Sequence, residues 1–153
     1  METHHEYRVK VFSAGPRKGV VSVEGGLPSM SFSAPPEFLG EAGRWTPEHF
    51  FVAALGSCFV STFSSIAEKS RFKFDFFQVQ AEGMLNHEDG VWQFTEIRLL
   101  PVVSILDQGD YDRAVALLKK AEKSCLIARS LRCKVTLFPT VRIEQQLLEP
   151  AQA

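Results

Sequence analysis

An excess of charge of either sign is what this sequence most plainly lacks. Lys and Arg number 17 against 18 Asp and Glu, for a formal net charge of -1. The basic residues form no long run, so there is no electrostatic case for a nucleic-acid partner. Cysteine is scarce too. Three residues, an odd count, give no disulfide framework and fit reduced thiols in a cytoplasmic setting. No membrane-length run is free of polar residues. The nearest, within residues 46–68, contains Ser and Gly and is flanked by Glu48, Glu68 and Lys69, which suits a protein core better than a bilayer. The N-terminus METHHEYRVK is polar and charged and does not read as a secretory signal. Internal repeats and low-complexity segments are absent.

What is present is enough for one domain with a core of its own: 153 residues, 45% of them hydrophobic. The chain is organised around Thr46–Glu68, TPEHFFVAALGSCFVSTFSSIAE. Thr46 can cap the first free amides, Pro47 suits the first helical turn, and Glu48 suits the positive end of the dipole. Phe50 to Ala67 is then almost wholly apolar or small, which predicts a helix buried on all sides over 46–70. Before it, alternation from Tyr7, the run Val20–Glu24 and Met30–Phe32 predict strands within 7–33, separated by turns at 14–19 and Gly25-Gly26.

After Phe72 the period changes to two. Phe77, Val79 and Ala81 alternate with Gln78, Gln80 and Glu82, the pattern of a strand with one wet face. Glu88-Asp89-Gly90 marks a hairpin turn, so 76–104 reads as a hairpin, with a bulge where the alternation loses phase near Thr95 and Glu96. Residues 110–125 read as a second helix. Asp110 is its expected cap, and Ala114, Leu117, Leu118, Ala121 and Cys125 form one core-facing stripe. A last strand over 134–143 contains Pro139, which signals an edge or a break, and 145–153 reads as a frayed tail. Strand runs interleaved with two helices give an α+β fold, mostly antiparallel.

Two thiols fall on core-facing helical positions, Cys58 and Cys125. A buried cysteine is either a small hydrophobe or a reactive thiol held in a dry pocket. Two core helices in a small domain pack near each other, so the two sulfurs can meet, although no local motif shows it. Cys133, between Arg132 and Lys134, reads as a strand residue without chemistry. A buried thiol reacts as thiolate only if something offsets the cost of burying charge. Cys58 is mid-helix and out of reach of that helix's own N-terminus, so a cation is expected. The candidates are Arg17 in the Gly-Pro-Arg-Lys-Gly turn and Arg44 just before the helix, with Glu48 as the anion that would hold either. Glu48 and Cys58 stand about 15 Å apart along one helix. Acid and thiol are therefore expected from different subunits, in a two-fold dimer with paired interface sites. His4, His5, His49 and His87 lack metal-ligand spacing, so neither a metal nor a cofactor is expected.

The Thr46-Pro47-Glu48 opening with AALGSC ending at Cys58 resembles the central-helix signature of the OsmC/Ohr family, the osmotically inducible and organic hydroperoxide resistance proteins. The Arg17 turn, the hairpin EDGVWQFTEI (88–97) and AEKSC (121–125) are similar to further segments of that family, so the likeness covers roughly 7–143. After the second cysteine, the hydroperoxide-resistance branch typically has Pro and a small polar residue; this chain has Leu126-Ile127-Ala128. The resemblance implies an intertwined homodimer and thiol-dependent reduction of organic hydroperoxides. It implies Cys58 as peroxidatic thiolate, Cys125 as its resolving partner, Arg17 holding the thiolate and Glu48 orienting that arginine. It also implies an apolar substrate wall from Phe50, Phe51 and Phe59, and an external dithiol, lipoyl-type or small, as reductant. Two other readings remain open: a hydrophobic-ligand-binding module of the same shape, and a thiol redox sensor with little turnover.

Overall fold

The structure, a computed structural model, describes residues 3–144; the tail expected at 145–153 lies outside them. The described residues pack as two compact units, divided between Phe51 and Val52.

In the first unit, β1 (Lys10–Ser13), β2 (Lys18–Ser22) and β3 (Met30–Ser33) form an antiparallel sheet in chain order. The alternation from Tyr7 predicts an earlier start to β1. Pairing begins at Lys10 because its partner, Ser22, is where β2 ends. Ser33, buried, organises the return loop: its amide donates to the Trp45 carbonyl at 2.9 Å, and its hydroxyl accepts from the Glu41 amide at 2.8 Å. Phe50 then stacks on Trp45 at 5.9 Å and meets Phe32 edge-on at 6.2 Å.

Helix α1 (Pro47–Lys69) starts in this unit and continues into the second. Thr46 caps it as its sequence predicts. Its hydroxyl accepts from the His49 amide at 3.1 Å, and the His49 ring nitrogen Nδ1 accepts from the Thr46 amide at 3.2 Å, so two orphan donors are satisfied reciprocally. The expectation that α1 is buried all round fails for the single chain. Leu55, Gly56, Phe59, Phe63 and Ala67 are buried, whereas Ala53, Ala54, Ser57, Ser61 and Ser64 are exposed. The reason is size. Those residues look apolar or neutral in sequence but are all small, and they share one face with the spacing of a helix. By length and composition α1 could cross a membrane; Phe59 and Phe63 nonetheless lie against Phe77, with ring centroids 6.2 and 4.2 Å away.

The second unit is built on β4 (Phe76–Glu88) and β5 (Val91–Ile105), an antiparallel hairpin turned by Asp89 and Gly90, both at positive φ, as a tight hairpin turn requires. The bulge falls where expected: Met84 pairs with Glu96 and Leu85 with Phe94, leaving Thr95 as the extra residue. Ile97, Leu99, Pro101, Val103 and Ile105 line the buried face of β5. Helix α2 (Tyr111–Ser124) buries Ala114, Leu117, Leu118 and Ala121, the stripe read from the sequence. Asp110 occupies the N-cap position of α2, as expected, but its side chain makes no capping hydrogen bond. Asp107 takes that role three residues earlier, accepting from the Gly109 amide at 2.8 Å at the start of a 3-10 turn that feeds α2. Helix α3 (Leu126–Ser130) follows directly. The expected last strand divides at Phe138-Pro139 into β6 (Lys134–Leu137) and β7 (Thr140–Ile143). Both run parallel to β5, beside residues 96–99 and 102–105.

Candidate active site

Cys58 lies between the buried and exposed faces of α1 and is half-buried; Cys125 is fully buried. Cys125 is the single residue joining α2 to α3, with φ −66 and ψ 118, and it serves as C-cap of one helix and N-cap of the other. This places its thiol beside Cys58, to whose sulfur it donates a hydrogen bond. Thr62, one turn further along α1, sits with its hydroxyl 3.9 Å from the same sulfur. The backbone amides of Ile127 and Leu126, at the start of α3, point to it as well.

The two thiols are driven in opposite directions. Burial works to raise Cys58. The Cys125 thiol, the Ile127 amide, the Thr62 hydroxyl and the Leu126 amide outweigh it and hold Cys58 below its ordinary range. Cys125 is pushed up to about 11, first by burial and then by its hydrogen bond to Cys58 and by the charge on Cys58; the Ala128 and Ile127 amides pull against this. The pair therefore loses its first proton from Cys58, while Cys125 keeps its own to higher pH. The groups that lower Cys58 within the single chain are not the cations expected from the sequence. These donors are neutral, and the helix terminus that helps Cys58 belongs to α3 rather than to its own helix.

The raised value at Cys125 has a signed consequence. A thiol whose folded value is raised stabilises the fold fully below its unfolded value, 9.0, and that contribution is lost as pH climbs through the folded value. The reduced protein should therefore lose stability between pH 9 and about 11, read as a falling denaturation midpoint. Cys125→Ala should flatten that decline; equal slopes for the two proteins would rule out a buried neutral thiol.

The other residues predicted for the site lie mostly in the first unit. Arg17 is exposed, at φ 59, with its carbonyl accepting from the Ala34 amide at 2.8 Å. Among the described residues it makes no ion pair. Arg44 pairs with Glu41 at 3.3 Å, and Lys18 reaches the same carboxylate at 2.9 Å. Glu48 therefore has neither arginine: its Oε2 is buried without a hydrogen-bond partner. Phe50 and Phe51 are half-buried, but Phe59 is sealed in the core against Phe77, so it supports the helix rather than facing a solvent-open wall. The sequence reading missed Thr62 and the 126–127 amides. A hydroxyl one turn from Cys58 was visible in the sequence, whereas no residue type marks a backbone amide.

The family model described as OsmC-like protein matches residues 40–138. An uncharacterised protein of Bacillus subtilis (strain 168), YmaD, is 31% identical over 140 residues, covering 90% of this chain and 93% of its own. Among solved structures, the OsmC-like protein of unknown function VCA0330 from Vibrio cholerae superposes with a TM-score of 0.78 at 25% identity, covering 89% of this chain and 99% of that one. An organic hydroperoxide resistance protein OsmC from Legionella pneumophila gives a TM-score of 0.72 at 24% identity, covering 92% and 100%. At that identity it speaks to fold alone.

Proposed function

We propose that this chain, which belongs to the family of OsmC-like proteins, reduces organic hydroperoxides through a cycle run by Cys58 and Cys125. The observation that carries the reading is the sulfur pair itself, with Cys58 lowered and Cys125 raised. The Cys58 thiolate attacks the distal peroxide oxygen. The O–O bond breaks, the alkoxide takes a proton and leaves as an alcohol, and Cys58 becomes a sulfenic acid. That step removes the negative charge that helped hold the proton on Cys125. Cys125 then ionises more readily and attacks the sulfenic sulfur, water leaves, and a Cys58–Cys125 disulfide forms. An external dithiol, lipoyl-type or small, donates two electrons and resets the pair.

Arg17, or Arg44 in its place, supplies the guanidinium that binds the peroxide and steadies the thiolate. Glu48 orients that guanidinium, and its unpartnered buried oxygen supports the role, since buried carboxylates are found paired. Phe50 and Phe51 favour apolar substrates. The working form is a homodimer, supported by the open small-residue face of α1 and by β4, which among the described residues pairs with β5 alone. The cytoplasm, where thiols are kept reduced, is the fitting compartment.

The test is stoichiometric. One equivalent of cumene hydroperoxide added to reduced protein should consume the Cys58 and Cys125 thiols and leave Cys133 free. In Cys125→Ser, only Cys58 should disappear, trapped by dimedone as a sulfenic acid. Unchanged thiol counts would discard the cycle in favour of a ligand-binding module.

A further inference from the structure

Helix α1 carries five hydroxyl residues, Ser57, Ser61, Thr62, Ser64 and Ser65, and three of them send the proton to a backbone carbonyl a turn back. Ser57 donates to Ala54 O at 3.2 Å, Ser61 to Cys58 O at 3.0 Å and Ser64 to Val60 O at 2.9 Å. That is the ordinary behaviour of Ser and Thr inside helices. Thr62 has a different partner. Of the two carbonyls a helical threonine can reach, three and four residues back, one is that of Cys58. That oxygen already receives the helical amide bond and the Ser61 hydroxyl, which occupies its two lone pairs. The partner of the Thr62 hydroxyl is instead the Cys58 sulfur, 3.9 Å away. Threonine has few free rotamers in a helix, so the hydroxyl is held in place at little entropic cost.

We propose that Thr62 is a positioning residue for the reactive thiol: its hydroxyl donates to the Cys58 sulfur and keeps it facing Cys125. The proposal rests on the reading of Cys58 as the reacting thiol and adds the device that orients it. The direction of the Cys58 shift agrees, since the Thr62 hydroxyl is among the donors that lower it. The surroundings leave few competitors. The titratable group facing the sulfur is Cys125, at the α2–α3 junction. Between Glu48 and Glu68, α1 has no Asp, Glu, Lys or Arg. The β4 residues against α1, Phe77, Val79, Ala81 and Gly83, are uncharged.

The readout is the pH profile of Cys58 alkylation by iodoacetamide, followed site by site by mass spectrometry on the reduced full chain. Thr62→Val keeps the shape and removes the donor. It should move the profile to higher pH, slowing alkylation about 3- to 10-fold below the midpoint while leaving the plateau rate unchanged. Thr62→Ser should restore the native profile. An unshifted Thr62→Val profile overturns the proposal, as does a Thr62→Ser profile that stays with Thr62→Val. Alkylation involves no peroxide, so a protein inactive toward hydroperoxides would refute the proposed cycle and leave this result standing on its own.

Discussion

Cys58→Ser should end hydroperoxide consumption, with a fall in rate of about a thousand-fold or more. Serine matches the shape of cysteine but does not ionise near neutral pH, and oxygen cannot form the sulfenic acid on which the rest of the cycle depends. The donors around position 58, namely the Cys125 thiol, the Thr62 hydroxyl and the Ile127 and Leu126 amides, would surround a neutral hydroxyl with nothing to stabilise. The measurement is loss of cumene hydroperoxide in the presence of a dithiol, with circular dichroism to show that the fold survives. Turnover within a factor of ten of wild type would remove Cys58 from the chemistry and leave the pair as a structural contact.

Phe63→Ala should cost about 3–5 kcal/mol of stability, a large share of what a domain of this size possesses. Phe63 is wholly buried. Its ring lies 4.2 Å from that of Phe77 and 5.5 Å from that of Phe74, centroid to centroid, in a cluster that also holds Phe59 and Phe72. Truncation removes the apolar surface and leaves a void that neighbouring rings, rigid and already in contact, cannot close. The loss should appear as a lower urea midpoint at an unchanged slope. Phe63→Leu, which fills most of the void, should lose less. An alanine variant within about 1 kcal/mol of wild type would mean that the cluster can collapse around the gap. Because Phe63 follows Thr62 and holds α1 on β4, the variant should also slow Cys58 alkylation.

Much of this arrangement was legible in the sequence, for reasons that differ from residue to residue. The start of α1 followed from Thr46 and Pro47, because capping is local chemistry. The burial of Cys125 followed from a stripe of period 3.6, and the hairpin from Asp89-Gly90 and the change of period after Phe72. Other features were hidden because they depend on partners distant in the chain. Ala53, Ser57 and Ser61 look like core in a one-dimensional reading and are exposed in the single chain. The five residues of α3 are too few to show a period. Asp107 and Asp110 both stand at cap positions, and composition alone does not say which side chain makes the hydrogen bond. The parallel placement of β6 and β7 is invisible locally, since a strand's sequence does not state its neighbour's direction. The thiolate's donors were the hardest to foresee, because every residue but proline has an amide.

The crossover from β5 through α2 and α3 to β6 and β7 has a consequence for how the chain matures. Until residues 134–143 have been added and have zipped along the second edge of β5, the segment bearing Cys125 is tethered at one end only. Pairing across so long a separation forms late, since the loop it closes is entropically expensive and the reward arrives only with the final contacts. During synthesis, Cys58 therefore waits with Cys125 unanchored. In terms of the cycle proposed above, an oxidant that reaches the nascent chain would meet a sulfur whose sulfenic form has no trap, open to the irreversible rungs of oxidation.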